Sequence, residues 1–203
     1  MLEPVFEWAG AAVSRLELLA FALALAGVAL TARVSVWGWP PTIAASALYG
    51  WLFYDYKLYG DAALQGFFIA VSIWGWRSWT CAAAPAPAAP IDAMDQGIRS
   101  LSRRAAIGLG AALLATWAVL GALLARLTDT DVPWFDAAPT AGSLFAQVLL
   151  ARKRLEAWPL WVGVNAIAIA LFVAKTLWLT ALLYALLLAL SVAGWIHWKR
   201  LAR

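Results

Sequence analysis

The sequence predicts an all-α membrane protein with seven transmembrane helices, in which two parallel three-helix repeats flank one connector helix (3+1+3). Composition is the first indication, because the 203 residues are 65% hydrophobic and 13% charged. Soluble domains are about half apolar and about a quarter charged. The second indication is three uncharged runs, 105–125, 158–174 and 176–198, each near the roughly 17–25 residues that span a bilayer. An internal repeat is the third.

Apolar runs between charged residues and turn signals place the helices in chain order. Flanking Trp, Tyr, Lys and Arg side chains extend the shorter runs into the membrane interface. The stretch AAAPAPAAP after the third helix lacks a core-forming pattern and is typical of a tether. The predicted helices lie near 16–33, 36–55, 59–79, 103–125, 138–155, 158–174 and 177–199.

The repeat places Trp39–Trp79 on Trp158–Trp198 without a gap, with 13 of 41 positions identical at a spacing of 119. Both copies end in Gly-Trp-x-x-Trp, as GWRSW and GWIHW. Helices two and three recur as six and seven, so the period is four helices and each copy returns in the same orientation. Parallel halves of this kind form SWEET-type transporters, whose substrate lies near the midplane. The predicted units are a first repeat 16–79, a cytoplasmic linker 80–102, a connector helix 103–125 and a second repeat 138–200.

Basic residues divide unequally between the two sides of this topology. Eleven of the 15 Lys and Arg residues lie on the side of the C-terminus, and four, Arg15, Lys57, Arg126 and Lys175, lie on the other. Since cytoplasmic loops carry the excess of basic residues, we expect the N-terminus outside and the C-terminus in the cytoplasm of a bacterial inner membrane. The positive charge thus reflects topology, and nucleic acid is not an expected partner.

The sequence offers no catalytic, metal-binding or cofactor-binding constellation, so no enzyme is predicted. A P-loop, paired carboxylates and a nucleophile–base pair are absent from the sequence. His197, the only histidine, falls at the end of the last helix. Four charged residues near the spans, Asp55, Asp61, Glu156 and Lys175, fall at predicted helix ends. Because groups that couple transport to ions lie at membrane depth, we expect uncoupled transport.

Neutral polar and aromatic side chains at membrane depth form the candidate binding site. Trp158, Trp161 and Asn165 share one face of the sixth helix at spacings i, i+3 and i+7. Aromatic faces beside amide groups suit a planar heterocycle that carries hydroxyls, and a positively charged ring gains cation–π attraction. The candidate substrate-binding residues are Ser46, Tyr49, Gln65, Gln147, Trp158, Trp161, Asn165 and Tyr184.

Other polar and aromatic residues have simpler roles. Ser72 and Ser191 either bond between helices or contact substrate, and the sequence favours neither. Most of the 14 tryptophans are expected in the aromatic belts at the membrane interfaces. The belt positions are predicted to be Trp8, Trp37, Trp74, Trp79, Trp134, Trp178 and Trp198.

Three stretches, LYGDAALQ at 58–65, the Gly-Trp-x-x-Trp endings and EAWPLWVGVN at 156–165, resemble the PnuC family of vitamin-precursor transporters. The resemblance covers most of residues 16–200. It implies a SWEET-like fold, a homotrimer, and facilitated diffusion of nicotinamide riboside, which phosphorylation then traps in the cytoplasm. It also implies substrate contacts at Gln65, Trp158, Trp161 and Asn165. One departure is Ala45, where the family often has asparagine, so either Ser46 compensates or the substrate differs.

Four functions are compatible with the sequence. A nicotinamide riboside uniporter leads, and a thiamine or riboflavin carrier has the same fold. A sugar uniporter of the SWEET kind fits the amide-bearing, tryptophan-rich interior less well, although sugars also stack on tryptophan. A membrane scaffold without transport activity predicts no saturable uptake, which separates it from the other three.

Orientation is testable directly. Since basic residues favour the cytoplasmic side, a reporter fused to the C-terminus should be active only in the cytoplasm. A reporter active only in the periplasm would contradict both the orientation and the count of seven helices.

Overall fold

The structure is a computed structural model that describes residues 4–8, 11–55, 59–82, 97–128, 130–174 and 178–202. These residues form seven α-helices, as the sequence predicts. Lys57, Lys175 and part of the predicted linker lie outside the described residues. The helices are α1 Arg15–Ala32, α2 Trp39–Asp55, α3 Tyr59–Ala82, α4 Arg103–Leu127, α5 Pro133–Ala151, α6 Ala157–Ala174 and α7 Trp178–Leu201.

Local sequence explains where the helices begin. Ser14 caps α1 by accepting a hydrogen bond from the Glu17 N–H at 3.1 Å, and serine is a preferred residue at this position. α5 spans Pro133–Ala151 and not the predicted 138–155. Its early start follows from Pro133 in the first turn, where the missing N–H has no intrahelical partner to lose.

A short two-stranded sheet precedes α1 and was not predicted. β1, Pro4–Trp8, pairs antiparallel with β2, Ala11–Ser14. Among the described residues, four helical segments are long and apolar enough to cross a membrane: Arg15–Ala32, Arg103–Leu127, Ala157–Ala174 and Thr180–Leu201.

We call α1 to α3 the first half of the protein and α5 to α7 the second half. Within each half, the middle helix packs against both of its neighbours. Between the halves, α1 packs against α7 and α3 packs against α5. α4 packs on α5. In each half, therefore, the first helix packs against the last helix of the other half.

The first helix of each half ends in the same turn, at positions 119 apart. Val34 and Lys153 have φ angles of 58° and 52°, in the left-handed region that usually favours glycine. The N–H of each bonds back to the carbonyl three residues earlier, at 2.9 Å and 3.0 Å. Because the helices stop here, the carbonyl groups of Ala32 and Ala151 have no intrahelical partner.

Tryptophans of the repeated motif supply the missing partners. The Trp79 Nε1–H donates to the Ala151 carbonyl at 3.0 Å, and the Trp198 Nε1–H donates to the Ala32 carbonyl at 3.0 Å. Each indole thereby caps the first helix of the opposite half. The belt prediction was wrong for these two residues, which are only 1% and 0% exposed. These indoles can be buried because a carbonyl at a helix end accepts the hydrogen bond of each N–H.

Glycines of the same motif receive a second pair of tryptophans. A Cβ atom at Gly75 or Gly194 would lie 2.6 Å from the ring of Trp39 or Trp158, respectively. Any larger residue would collide with a ring that is fully buried. The Nε1–H groups of Trp39 and Trp158 are buried and have no acceptor among the described residues.

The four indoles form one tryptophan cluster (Trp39, Trp79, Trp158 and Trp198). Ring centroids are 5.2 Å apart for Trp39 and Trp79 and 5.4 Å apart for Trp158 and Trp198, both edge-to-face. Trp79 and Trp198 lie 6.0 Å apart across the boundary between the halves. These distances fall in the range of favourable aromatic pairs. The repeated Gly-Trp-x-x-Trp thus builds one shared core.

The end of the predicted linker docks on the second half. The Arg99 N–H donates to the Lys153 carbonyl at 3.1 Å, beside the left-handed turn that follows α5. The Leu101 N–H donates to Glu156 Oε1 at 2.9 Å. The side chain of Ile98 is buried in the core that contains the tryptophan cluster. The chain therefore enters α4 from a fixed position.

Phe substitutions separate the hydrogen bonds of this cluster from its ring packing. Trp79→Phe or Trp198→Phe should lower the free energy of unfolding by about 1–3 kcal/mol more than Trp39→Phe does. All three lose buried ring area, but only the first two leave a buried carbonyl unpaired. Thermal unfolding of the purified variants measures the difference. Equal losses for all three would contradict the capping role.

Candidate substrate-binding site

A cavity of about 440 Å³ lies between the two halves. Its lining comes from all of the helices except α4. The sequence-predicted residues all line this cavity: Ser46, Tyr49, Gln65, Gln147, Trp158, Trp161, Asn165 and Tyr184. Their common location supports one site, and their contact with substrate stays a prediction.

Asn165 presents an acceptor in the middle of α6. Its side chain is 2% exposed, and its Nδ2 donates to Ser191 Oγ on α7 at 3.1 Å. The Ser191 hydroxyl in turn donates to the Leu187 carbonyl at 2.8 Å. This chain of hydrogen bonds fixes the amide, while Oδ1 accepts no hydrogen bond from the described part of the chain. A ligand hydroxyl or amide can supply that donor.

Gln147 uses a second serine in the same way. Its Nε2 on α5 donates to Ser72 Oγ on α3 at 3.0 Å, so the bond joins the two halves. Both side chains are buried. Ser72 and Ser191 are repeat mates, meaning residues 119 positions apart. Each of them anchors an amide of the cavity, which assigns them the role in hydrogen bonding between helices.

Repeat mates supply different groups to equivalent places in the cavity. Ser46 in the first half corresponds to Asn165 in the second, and both are buried. Gln65 on α3 corresponds to Tyr184 on α7, and both are half-buried. The backbone frame is thus repeated, whereas the hydrogen-bonding groups differ on the two sides.

Trp161 and Trp158 face different surroundings. Trp161 is half-buried and lies 6.4 Å from the Phe68 ring, so part of its ring is open to a ligand. Trp158 is 1% exposed and packs on Gly194 within the tryptophan cluster, at the floor of the cavity. It offers almost no ring area for stacking on a ligand.

Two stacked aromatic pairs line the far end of the cavity, opposite the tryptophan cluster. Tyr49 stacks on Phe53 at 5.9 Å, and Tyr184 stacks on Phe172 at 5.2 Å. Phe53 and Phe172 are repeat mates, so one pair comes from each half. Flat apolar surfaces on both sides suit a planar heterocycle.

Glu17 also lines the cavity and was missed by the sequence analysis. The sequence analysis gave it no role. A signal was present, because Glu17, Phe21, Ala24 and Val28 follow helical spacing, and all four line the cavity.

A helical fold with segments long and apolar enough to span a membrane and with a central cavity of ligand size is typical of a membrane transporter. The sequence profile described as "Nicotinamide mononucleotide transporter" matches residues 14–200, and the chain belongs to this family.

Similar proteins agree with this assignment. The "Nicotinamide riboside transporter PnuC" of Escherichia coli K12 is 25% identical over 174 residues, covering 77% of this chain and 73% of that protein. The "Riboflavin/roseoflavin transporter RibM" of Streptomyces davaonensis is 27% identical over 191 residues, covering 87% and 80%. The fold matches the "Crystal structure of the Vitamin B3 transporter PnuC" with a TM-score of 0.73, at 24% identity, over 92% of this chain and 81% of that one. The predicted membership of the PnuC family is confirmed.

Proposed function

We propose that this protein imports nicotinamide riboside by facilitated diffusion and that the cavity between the halves holds the substrate. The observation that carries the proposal is the pairing of Asn165 with Trp161, one turn apart on α6. Asn165 offers a fixed acceptor, and Trp161 offers an open ring face. A volume of about 440 Å³ is within the range of small-molecule sites, roughly 300–1,000 Å³. Relatives named as nicotinamide riboside transporters support the substrate.

The proposed architecture is the parallel 3+1+3 arrangement of SWEET-like transporters, with α4 as the connector. Support comes from interactions that recur 119 positions apart, which are the left-handed turns and the indole caps. The N-terminus is placed outside and the C-terminus in the cytoplasm by the basic residues. Homotrimer formation is carried by the family resemblance. In the single chain, α4 leaves apolar side chains such as Ile107, Leu114 and Val119 exposed.

Uncoupled transport follows from the chemistry at mid-depth. Ser46, Gln147 and Asn165 are neutral, and no lysine, arginine or histidine is among the described residues that line the cavity. Glu17 lies in the first turn of α1, near the helix end. Without a titrating group at mid-depth, the substrate has no ion to move with. Phosphorylation of the imported nicotinamide riboside in the cytoplasm would then sustain net uptake.

A riboflavin carrier is the second candidate. The RibM relative covers 87% of this chain, and Ala45 replaces the asparagine that the resemblance leads one to expect on α2. Both facts would fit a change of vitamin without a change of fold. Thiamine is a further cationic option, and a sugar would use the aromatic pairs less fully.

Substitutions on α6 and α7 test the site. Asn165→Ala should weaken nicotinamide riboside binding about five- to thirtyfold, equivalent to about 1–2 kcal/mol, and Trp161→Ala should weaken it further by removing stacking area. Ser191→Ala is the matched control, because it loosens the Asn165 amide but keeps its Oδ1 acceptor, so its effect should be smaller. Tryptophan-fluorescence titration of the purified proteins measures all three. Parental affinity in folded Asn165→Ala and Trp161→Ala would refute this site.

Transport energetics can be measured in proteoliposomes. Labelled nicotinamide riboside should enter until its concentrations inside and outside are equal, with or without an imposed proton or sodium gradient. Accumulation above equality under either gradient would show coupling and contradict facilitated diffusion. A Trp161→Ala protein reconstituted at the same density serves as the low-binding control.

A further inference from the structure

Glu17 is the one charged side chain among the described residues that line the cavity. The hydrogen bond from its backbone N–H to Ser14 Oγ, 3.1 Å long, fixes the first turn of α1. The side chain is half-buried, whereas the neighbouring Arg15 is exposed to solvent. The Glu17 carboxylate forms no ion pair with the described residues. No direct contact within the described part of the chain therefore neutralises its charge.

The packing of α1 on α2 sets the depth of Glu17 in the cavity. Gly27 lies directly against Thr42, and the two helices run in opposite directions. Ten residues back along α1, Glu17 is level with Leu52 and Phe53 on α2. It thus lies at the far end of the cavity, beside the stacked aromatic pairs. Ser46 is six residues deeper on α2, a separation of about 9 Å at 1.5 Å per residue.

The negative charge of Glu17 acts along the whole cavity. The lining is mostly apolar, and low-dielectric walls focus the field of a single carboxylate. At about 10 Å, with an effective dielectric constant of about 20, one negative and one positive charge attract by an amount worth on the order of tenfold in affinity. The aromatic pairs Tyr49–Phe53 and Tyr184–Phe172 add cation–π attraction for the same kind of ligand.

We propose that Glu17 is the charge-selectivity residue of this cavity, which favours a positively charged heterocycle over a neutral one of the same shape. The class of ligand is a pyridinium or thiazolium vitamin precursor, as opposed to a neutral flavin. The inference rests on the proposed function, because it assumes that the cavity holds the substrate. It assigns the choice between vitamins to an acidic group on α1, in addition to the amides on α5 and α6.

The test uses two nucleosides that differ in charge and hardly in shape. Nicotinamide riboside carries one positive charge, and its 1,4-dihydro form is neutral. The parent protein should bind the cation about tenfold more tightly than the neutral form. Glu17→Gln, which keeps the size and polarity of the side chain, should lose about tenfold in affinity for the cation and stay within twofold for the neutral form. Glu17→Asp keeps the charge and should keep the preference.

Asp131→Asn is the matched control, because Asp131 is an exposed acid outside the cavity lining. Its affinities for both nucleosides should equal those of the parent. If Glu17→Gln binds both forms like the parent, or loses affinity for both equally, the selectivity role is refuted while the proposed function stands. If the parent binds riboflavin more tightly than either nicotinamide riboside or thiamine, the proposed function and the selectivity role both fail.

Discussion

Two indole-to-carbonyl hydrogen bonds hold the halves of this protein together at one end of the cavity. Trp79 and Trp198 each cap the first helix of the opposite half, at Ala151 and Ala32. The carbonyls are available because a left-handed residue follows the end of each helix. The cavity adjoins this joined end, where Trp39 and Trp158 belong to its lining. A substitution in the tryptophan cluster would therefore alter the cavity at the end that Trp39 and Trp158 line.

The two halves share a repeated backbone but present different side chains to the cavity. Ser72 and Ser191 are identical repeat mates, and each anchors one amide. The groups that face the cavity are not identical, as Ser46 and Asn165 illustrate. A nucleoside has a ring at one end and hydroxyls at the other, so it needs different partners at the two sides of its site. We propose that divergence of the two copies supplies them.

Much of the fold could be predicted from the sequence, because long apolar helices and a gapless repeat leave strong signals. The cavity residues were also predictable, since amides at membrane depth are costly without partners. The roles of Trp79 and Trp198 were not, because a belt indole and a capping indole look alike until the acceptor carbonyl is located. Glu17 was missed because its depth depends on how α1 packs against α2. The short β1 and β2 strands carried too few residues for a periodic pattern.

An experimental structure of the protein with nicotinamide riboside would test most directly whether the cavity between the halves holds this ligand. We expect density inside the cavity, with a ligand donor within hydrogen-bonding distance of Asn165 Oδ1 and the pyridinium ring against an aromatic side chain of the lining. Density on the outer surface of α4, or within the cavity but out of reach of both Asn165 and the aromatic lining, would contradict this expectation.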